Sequence, residues 1–172
     1  GGDYAFDIDI NNAFPNILAY YIKKTYPDLN ISNLIKYNNN RDKLIKKYKT
    51  SKIEILAWLN RDFKYSGDNI LIKALDADFK LIHKTIWEDK ENEFFKLIDI
   101  KKITSTNKKG SFIHSILSIL ENDILQKVIK KLGNKVMVPY YDGAWIDICE
   151  NQEEIIKKCN KITKDYGLTW SV

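Results

Sequence analysis

Residues 4–10 alternate between two kinds of side chain, with Ala5, Asp7 and Asp9 on one set of positions and Phe6, Ile8 and Ile10 on the other. A period of two predicts a strand with one apolar face turned to a core. Asp7 and Asp9 then share the opposite face, roughly 7 Å apart along the strand. Pro15 suits the first turn of a helix that the pattern carries on through Ile17, Leu18, Tyr21 and Ile22. Tyr26, Pro27, Asp28 and Asn30 mark a turn, residues 31–37 form a short apolar stretch, and Asn38, Asn39 and Asn40 read as a loop. Residues 41–63 have helical spacing with a break near Thr50 and Ser51, and residues 71–98 have it with a charged break at Asp89, Lys90 and Glu91.

A polar, basic segment, residues 104–110, leads to a long helix opening at Ser111 and ending at Gly133 and Asn134. Its apolar face carries Ile113, Ile116, Leu117, Leu120, Ile124 and Val128. A second stripe of Ser111, His114, Ser115, Ser118, Glu121 and Asn122 is polar at the same spacing. Serine is a weak choice for a purely solvated helix surface, and its small hydroxyl lets a bulky group lie close along the helix. Residues 135–148 read as two strands joined at Asp142 and Gly143, a strong hairpin signal. A last amphipathic helix starts at Glu150 and Asn151 and is ended by Gly167, and residues 168–172 form a final strand.

Two carboxylates on one strand face repel unless a cation sits near them. A hard cation such as Mg²⁺ (or Mn²⁺) takes oxygen ligands and leaves positions for substrate phosphates. A solvated strand edge is the alternative for Asp7 and Asp9. His83 has no visible ligand partner and is read as capping or packing. Lysine and glycine at residues 108–110, before Ser111, offer backbone N–H groups and a positive helix end to a phosphate.

The chain has 172 residues and 44% hydrophobic content, enough for one domain with a real core. Lys and Arg number 28 against 23 acidic residues, a net charge of +5, and the pI is near 9.0. That balance fits a polyanionic partner, and equally a lysine-rich composition with no such role. Lys43, Lys46, Lys47, Lys49 and Lys52 crowd one face of their helical segments, a nucleic-acid face or a solvated one. No apolar run approaches a membrane span, which leads to an expectation of an intracellular protein without a membrane partner. Cys149 and Cys159, ten positions apart, are expected as free thiols.

The spacing from Asp9 to Phe14 and Pro15 resembles the first motif of palm-domain template-directed polymerases, an aspartate, four residues, then an aromatic often followed by proline. The hairpin resembles their third motif. The nearest likeness is the Tyr-Asp-Gly of family-A-like polymerase domains in viral, phage and plasmid replication proteins, matched by Tyr141, Asp142 and Gly143. Those proteins also carry an Asn-x-x-Gly-Ser segment before a helix with a Glu, as at Asn107, Gly110, Ser111 and Glu121. They further carry an Asn-Arg stretch followed by a Lys-bearing helix, similar to Asn40 and Arg41 with Lys52, Asn60 and Arg61.

The resemblance implies an α+β palm, a βαββαβ antiparallel sheet backed by helices, from residues 3–18 and 106–172. Residues 19–105 would be a helical, fingers-like insertion. It implies two-metal nucleotidyl transfer in replication of a viral or mobile element, with Asp7, Asp9 and Asp142 as catalytic metal ligands. Phe14, Arg41, Lys52 and Tyr141 would contact the nucleoside triphosphate, Phe14 as a gate against the 2′-hydroxyl. Lys43, Lys46, Lys47, Lys108, Lys109, Gly110, Ser111, His114 and Ser115 would line the template and primer path, with a helicase or other replication protein as a further partner. Gly143 departs from the pattern, standing where reverse transcriptases and family-A enzymes keep a second acid. Two alternatives stay open. One is a primase-polymerase of the archaeal and eukaryotic type, using Asp7, Asp9, His114 and Asp142. The other is a palm without catalysis that binds nucleic acid or protein.

Overall fold

The computed structural model describes residues 4–104, 106–140 and 143–172. The expected roles of Tyr141 and Asp142 therefore fall outside the described residues. The fold is α+β, mostly helical, with one four-stranded antiparallel sheet. Contacts divide the chain into two units: Gly1–Tyr21 with Leu117–Val172, and Ile22–Ile116. The first holds the sheet. Its second boundary falls eleven residues beyond the expected 105/106 division, inside a helix.

In the sheet unit, β1 (Ala5–Ile10) is followed by α1 (Ala13–Thr25), which runs across the unit boundary, as does α6 (Lys108–Leu132). The hairpin strands are β2 (Val136–Tyr140) and β3 (Gly143–Asp147), then come α7 (Gln152–Ile162) and β4 (Trp170–Ser171). Strand order is β2-β3-β1-β4, so β1 is central and both its neighbours are antiparallel to it. Edge position suits β2, because Pro139 has no N–H to give a second neighbour. Phe6, Ile8, Ile10, Ala144 and Ile146 are buried, as are Ile17, Leu18, Leu117, Ile124, Leu125, Val128, Ile155 and Cys159 on the helices. Each fully buried Ile or Leu contributes about 2 kcal/mol. The final strand is shorter than the alternation suggests. Residues 168–169 are not strand, and β4 is tied to α7 by Trp170 N–H to Asn160 Oδ1 (2.8 Å) and its indole N–H to Thr163 Oγ1 (3.0 Å).

The helical unit contains α2 (Ser32–Lys47), α3 (Lys52–Leu59), α4 (Ile70–Glu88) and the single turn α5 (Phe94–Leu97). Two expectations need correction here. The three asparagines at 38–40 lie inside α2, with only Asn40 leaving helical geometry (φ −140°, ψ 27°), so the loop is a kink. Asparagine disfavours a helix by well under 1 kcal/mol per residue, and buried Leu34 and Tyr37 outweigh that. The long helix α6 begins at Lys108 rather than Ser111. The breaks near Thr50 and Asp89 are present. Lys49 has φ 52°, and the Ser51 hydroxyl caps α3 by accepting from Glu54 N–H (3.2 Å). Cys149 is exposed, Cys159 is buried, and both are free thiols. Among the described residues no helix is long and apolar enough to cross a membrane.

Candidate active site

The open face of the sheet is set by register. Asp7 pairs with Trp145, and Asp9 pairs with Gly143 on one side and Ser171 on the other. Directly paired residues share a face, so both aspartates stand on the side away from Phe6, Ile8 and Ile146. Both are partly exposed, beside a Trp145 that is 41% exposed. Gly143 is the residue after Asp142, and it lies opposite Asp9. A Cβ on Gly143 would meet Ile8 O at 1.9 Å and Asp9 Oδ1 at 2.6 Å. Glycine is therefore required for the Asp9 carboxylate and the β1 backbone to approach this closely. No side chain fits at position 143 without displacing one of these groups.

The turn that follows Asp9 is held by groups the sequence pattern did not single out. Asn11 N–H donates to Thr169 O (2.8 Å), its side-chain amide to Thr169 Oγ1 (3.1 Å), and it accepts from Ser171 Oγ (2.6 Å). Asn12 is left-handed (φ 48°), a conformation asparagine tolerates. The Asn16 side chain donates to Asn11 O (3.3 Å) and Asn12 O (3.0 Å), fastening the turn to the first turn of α1. The two adjacent asparagines and the i, i+4 spacing of Asn12 and Asn16 were the visible signals. Phe14 is half-buried in that first turn and Pro15 is buried. Glu121 on α6, in this same unit, is buried. Among the described residues, no three His, Cys, Asp or Glu side chains gather as a metal group, with Asp142 outside that set.

The remaining expected residues belong to the helical unit. Lys43, Lys46, Lys47, Lys52 and Lys108 are exposed, and Lys109, Ser111 and Ser115 are half-buried. Arg41 is half-buried with its Nε on Asp42 Oδ1 (3.1 Å). Lys47 lies against the Tyr48 ring, its Nζ 5.2 Å from the centroid. His114 is exposed on α6, not on a strand. The Ser115 hydroxyl donates to Ser111 O (2.9 Å) within the helix. Charge is divided unevenly. Residues 22–116 carry 20 Lys and Arg against 12 Asp and Glu, net +8, whereas the rest has 8 against 11, net −3.

The start of α6 is a correction. Its N–H groups at Lys109 and Gly110 already donate to the Asp62 carboxylate (3.1 and 2.7 Å), and Asp62 N–H donates back to Asn107 Oδ1 (3.4 Å). A carboxylate at a helix N-terminus satisfies two orphan donors and the positive dipole end, so these groups are spoken for. Gly110 is glycine because a Cβ would meet Asn60 O at 2.1 Å. The Asn107 to Ser111 segment is thus an internal junction.

Close by, buried Asp76 pairs with Lys80 and accepts from Tyr65 N–H (2.7 Å). Lys80 also donates to Trp58 O (2.9 Å), and burial pushes its pKa down. His83 is buried with Nε2 2.7 Å from Leu59 O, a packing role as expected. Burial first, then the Lys80 charge, lowers its pKa from 6.5 to about 4, against the raising effects of the Leu59 carbonyl, Asp62 and Asp76. The unfolded chain therefore binds a proton that the folded chain refuses between those values. Stability is full above pH 6.5 and falls as the pH drops toward 4. Unfolding free energy is expected to decrease by about 2 kcal/mol between pH 7 and pH 5. Denaturant titrations at the two pH values check this; a His83→Gln protein with the same pH slope as wild type would contradict it.

Comparison with protein-family models, with curated proteins and with solved structures gives no match.

Proposed function

We propose that the chain is a palm-type template-directed nucleotidyltransferase, using a divalent metal held by Asp7, Asp9 and Asp142 to extend a nucleic-acid primer. The observation that carries the reading is the pairing of Asp9 with Gly143, 134 positions away, which sets the β1 acid opposite the residue that follows Asp142 in the sequence. A carboxylate set there suits a metal that lowers the pKa of the primer 3′-hydroxyl and a second that stabilises the leaving pyrophosphate. The acidic sheet unit and the basic helical unit fit a division between metal holding and polyanion binding. The test is extension of a primed template with deoxynucleotides, in Mg²⁺ or Mn²⁺ and in chelator. Metal-dependent extension supports the proposal; no incorporation with either metal would sink it.

Gly143 favours a second reading, the same fold without catalysis, since its position has no room for another acid. That protein would bind the primed template and incorporate nothing.

Lys43, Lys46, Lys47, Lys52, Lys108 and Lys109 are assigned to the template and triphosphate path, with Arg41 beside them. Affinity for an oligonucleotide is then expected to fall steeply with salt, because each neutralised phosphate releases a counterion. A flat salt profile returns these lysines to the solvent. Phe14 is assigned as the sugar gate. A hydroxyl buried against its ring and left unpaired costs about 1–3 kcal/mol, roughly one to two powers of ten in deoxy over ribo preference. Phe14→Ala is expected to lose that preference while still incorporating deoxynucleotides. An unchanged ratio with a lower melting temperature would make Phe14 a core plug instead.

A further inference from the structure

The segment 58–64 carries a surface that the proposed chemistry does not use. The Arg61 guanidinium lies over the Trp58 ring at 4.6 Å and beside the Phe63 ring at 5.8 Å. Trp58 meets Phe63 edge-on at 5.4 Å and Tyr65 edge-on at 5.0 Å, so the three rings brace one another. Phe63 is nonetheless 59% exposed. A phenyl ring ordered by its neighbours yet open to water has already lost the freedom that a stacking partner would otherwise take from it. Among the described residues Arg61 makes no ion pair. The adjacent acid, Asp62, has its carboxylate turned to the N–H groups of Lys109 and Gly110. Lys80, the other cation at Trp58, is paired with Asp76. A guanidinium held at a ring by cation–π attraction and not by an acid keeps N–H donors that phosphate oxygens accept.

We propose that Trp58, Arg61 and Phe63 form a single-stranded nucleic-acid platform, a base stacking on Phe63 while Arg61 takes a flanking phosphate; Lys64 and Lys108 are exposed as further cations of the same unit. The net charge of +8 on residues 22–116 makes a polyanion the fitting occupant. A stacking site accepts any unpaired base, since every base has a π-face, and it rejects a duplex whose bases are already stacked. The platform does not rest on the polymerase reading, because it needs neither metal nor aspartate.

The experiment measures anisotropy of a labelled oligothymidylate of about 12 nucleotides with the whole chain, in chelator. Phe63→Ala and Arg61→Ala are each expected to weaken binding about tenfold. Phe63→Trp is expected to retain affinity, and Arg61→Lys to fall between. A duplex of equal length is expected to bind at least about tenfold more weakly. Wild-type affinity in Phe63→Ala, equal affinity for duplex, or complete displacement by polyglutamate would each overturn the platform in favour of plain charge attraction. Because Phe63 is largely exposed, its variants keep the fold, and a melting curve on each verifies this. Loss of primer extension with intact binding would strike the polymerase proposal alone; intact extension with unaltered Phe63→Ala binding would strike the platform alone.

Discussion

Gly143→Ala is expected to lower the unfolding free energy by about 3 kcal/mol or more and to displace the Asp9 carboxylate. The added methyl would sit 1.9 Å from Ile8 O and 2.6 Å from Asp9 Oδ1. One obstacle is backbone in the central strand, paired on both sides, and cannot step aside without breaking the β1–β3 ladder. The other is the acid itself. Gly133→Ala supplies the comparison, since Gly133 has positive φ (61°) and its new methyl would meet nothing within 4 Å. There the cost is only the left-handed penalty of about 1–2 kcal/mol. Denaturant unfolding of the two variants side by side reads the difference. Equal losses would mean that the close approach of Gly143 and Asp9 does not exist in solution.

Asp9→Asn is expected to reduce primer extension by about three powers of ten or more, with the melting temperature within a few degrees of wild type. The amide keeps the size and shape of the carboxylate, and the strand pairings of Asp9 to Gly143 and Ser171 are made by backbone. What disappears is the charge that would hold a divalent ion, whose Lewis-acid contribution is several kcal/mol, with about 1.4 kcal/mol per tenfold in rate. Incorporation rates by rapid quench, with thermal melting of the same preparations, check the pair of outcomes. An active Asp9→Asn enzyme removes the metal site from β1.

Elements whose signal is local were legible from the chain. Phe6, Ile8 and Ile10 gave away β1 because the sheet has one covered face, and Ile113, Ile116, Leu117 and Val128 gave away α6 because its buried stripe has helical period. The kink at Asn40 was not legible, since three asparagines resemble a loop and only the burial of Leu34 and Tyr37 keeps them helical. Nor could local pattern show that Asp62, 47 and 48 positions from its partners, closes the start of α6. That contact turns an apparent phosphate cradle into an internal cap. The candidate site was half legible: alternation put Asp7 and Asp9 on one face, and the hairpin signal placed Gly143. The need for glycine there, and the Asn11–Ser171 tie across 160 positions, came only with the sheet order. Arg61 looked like one more surface cation because nothing in the sequence says which ring a guanidinium will lie on.

Acids from β1 and from the hairpin are proposed to act on one reaction, and the rate of single-nucleotide incorporation by Asp142→Asn tests this most directly. Measured beside wild type, at saturating primer–template and Mn²⁺, that rate is expected to fall by about three powers of ten with the melting temperature unchanged. Incorporation by Asp142→Asn at the wild-type rate would contradict the claim.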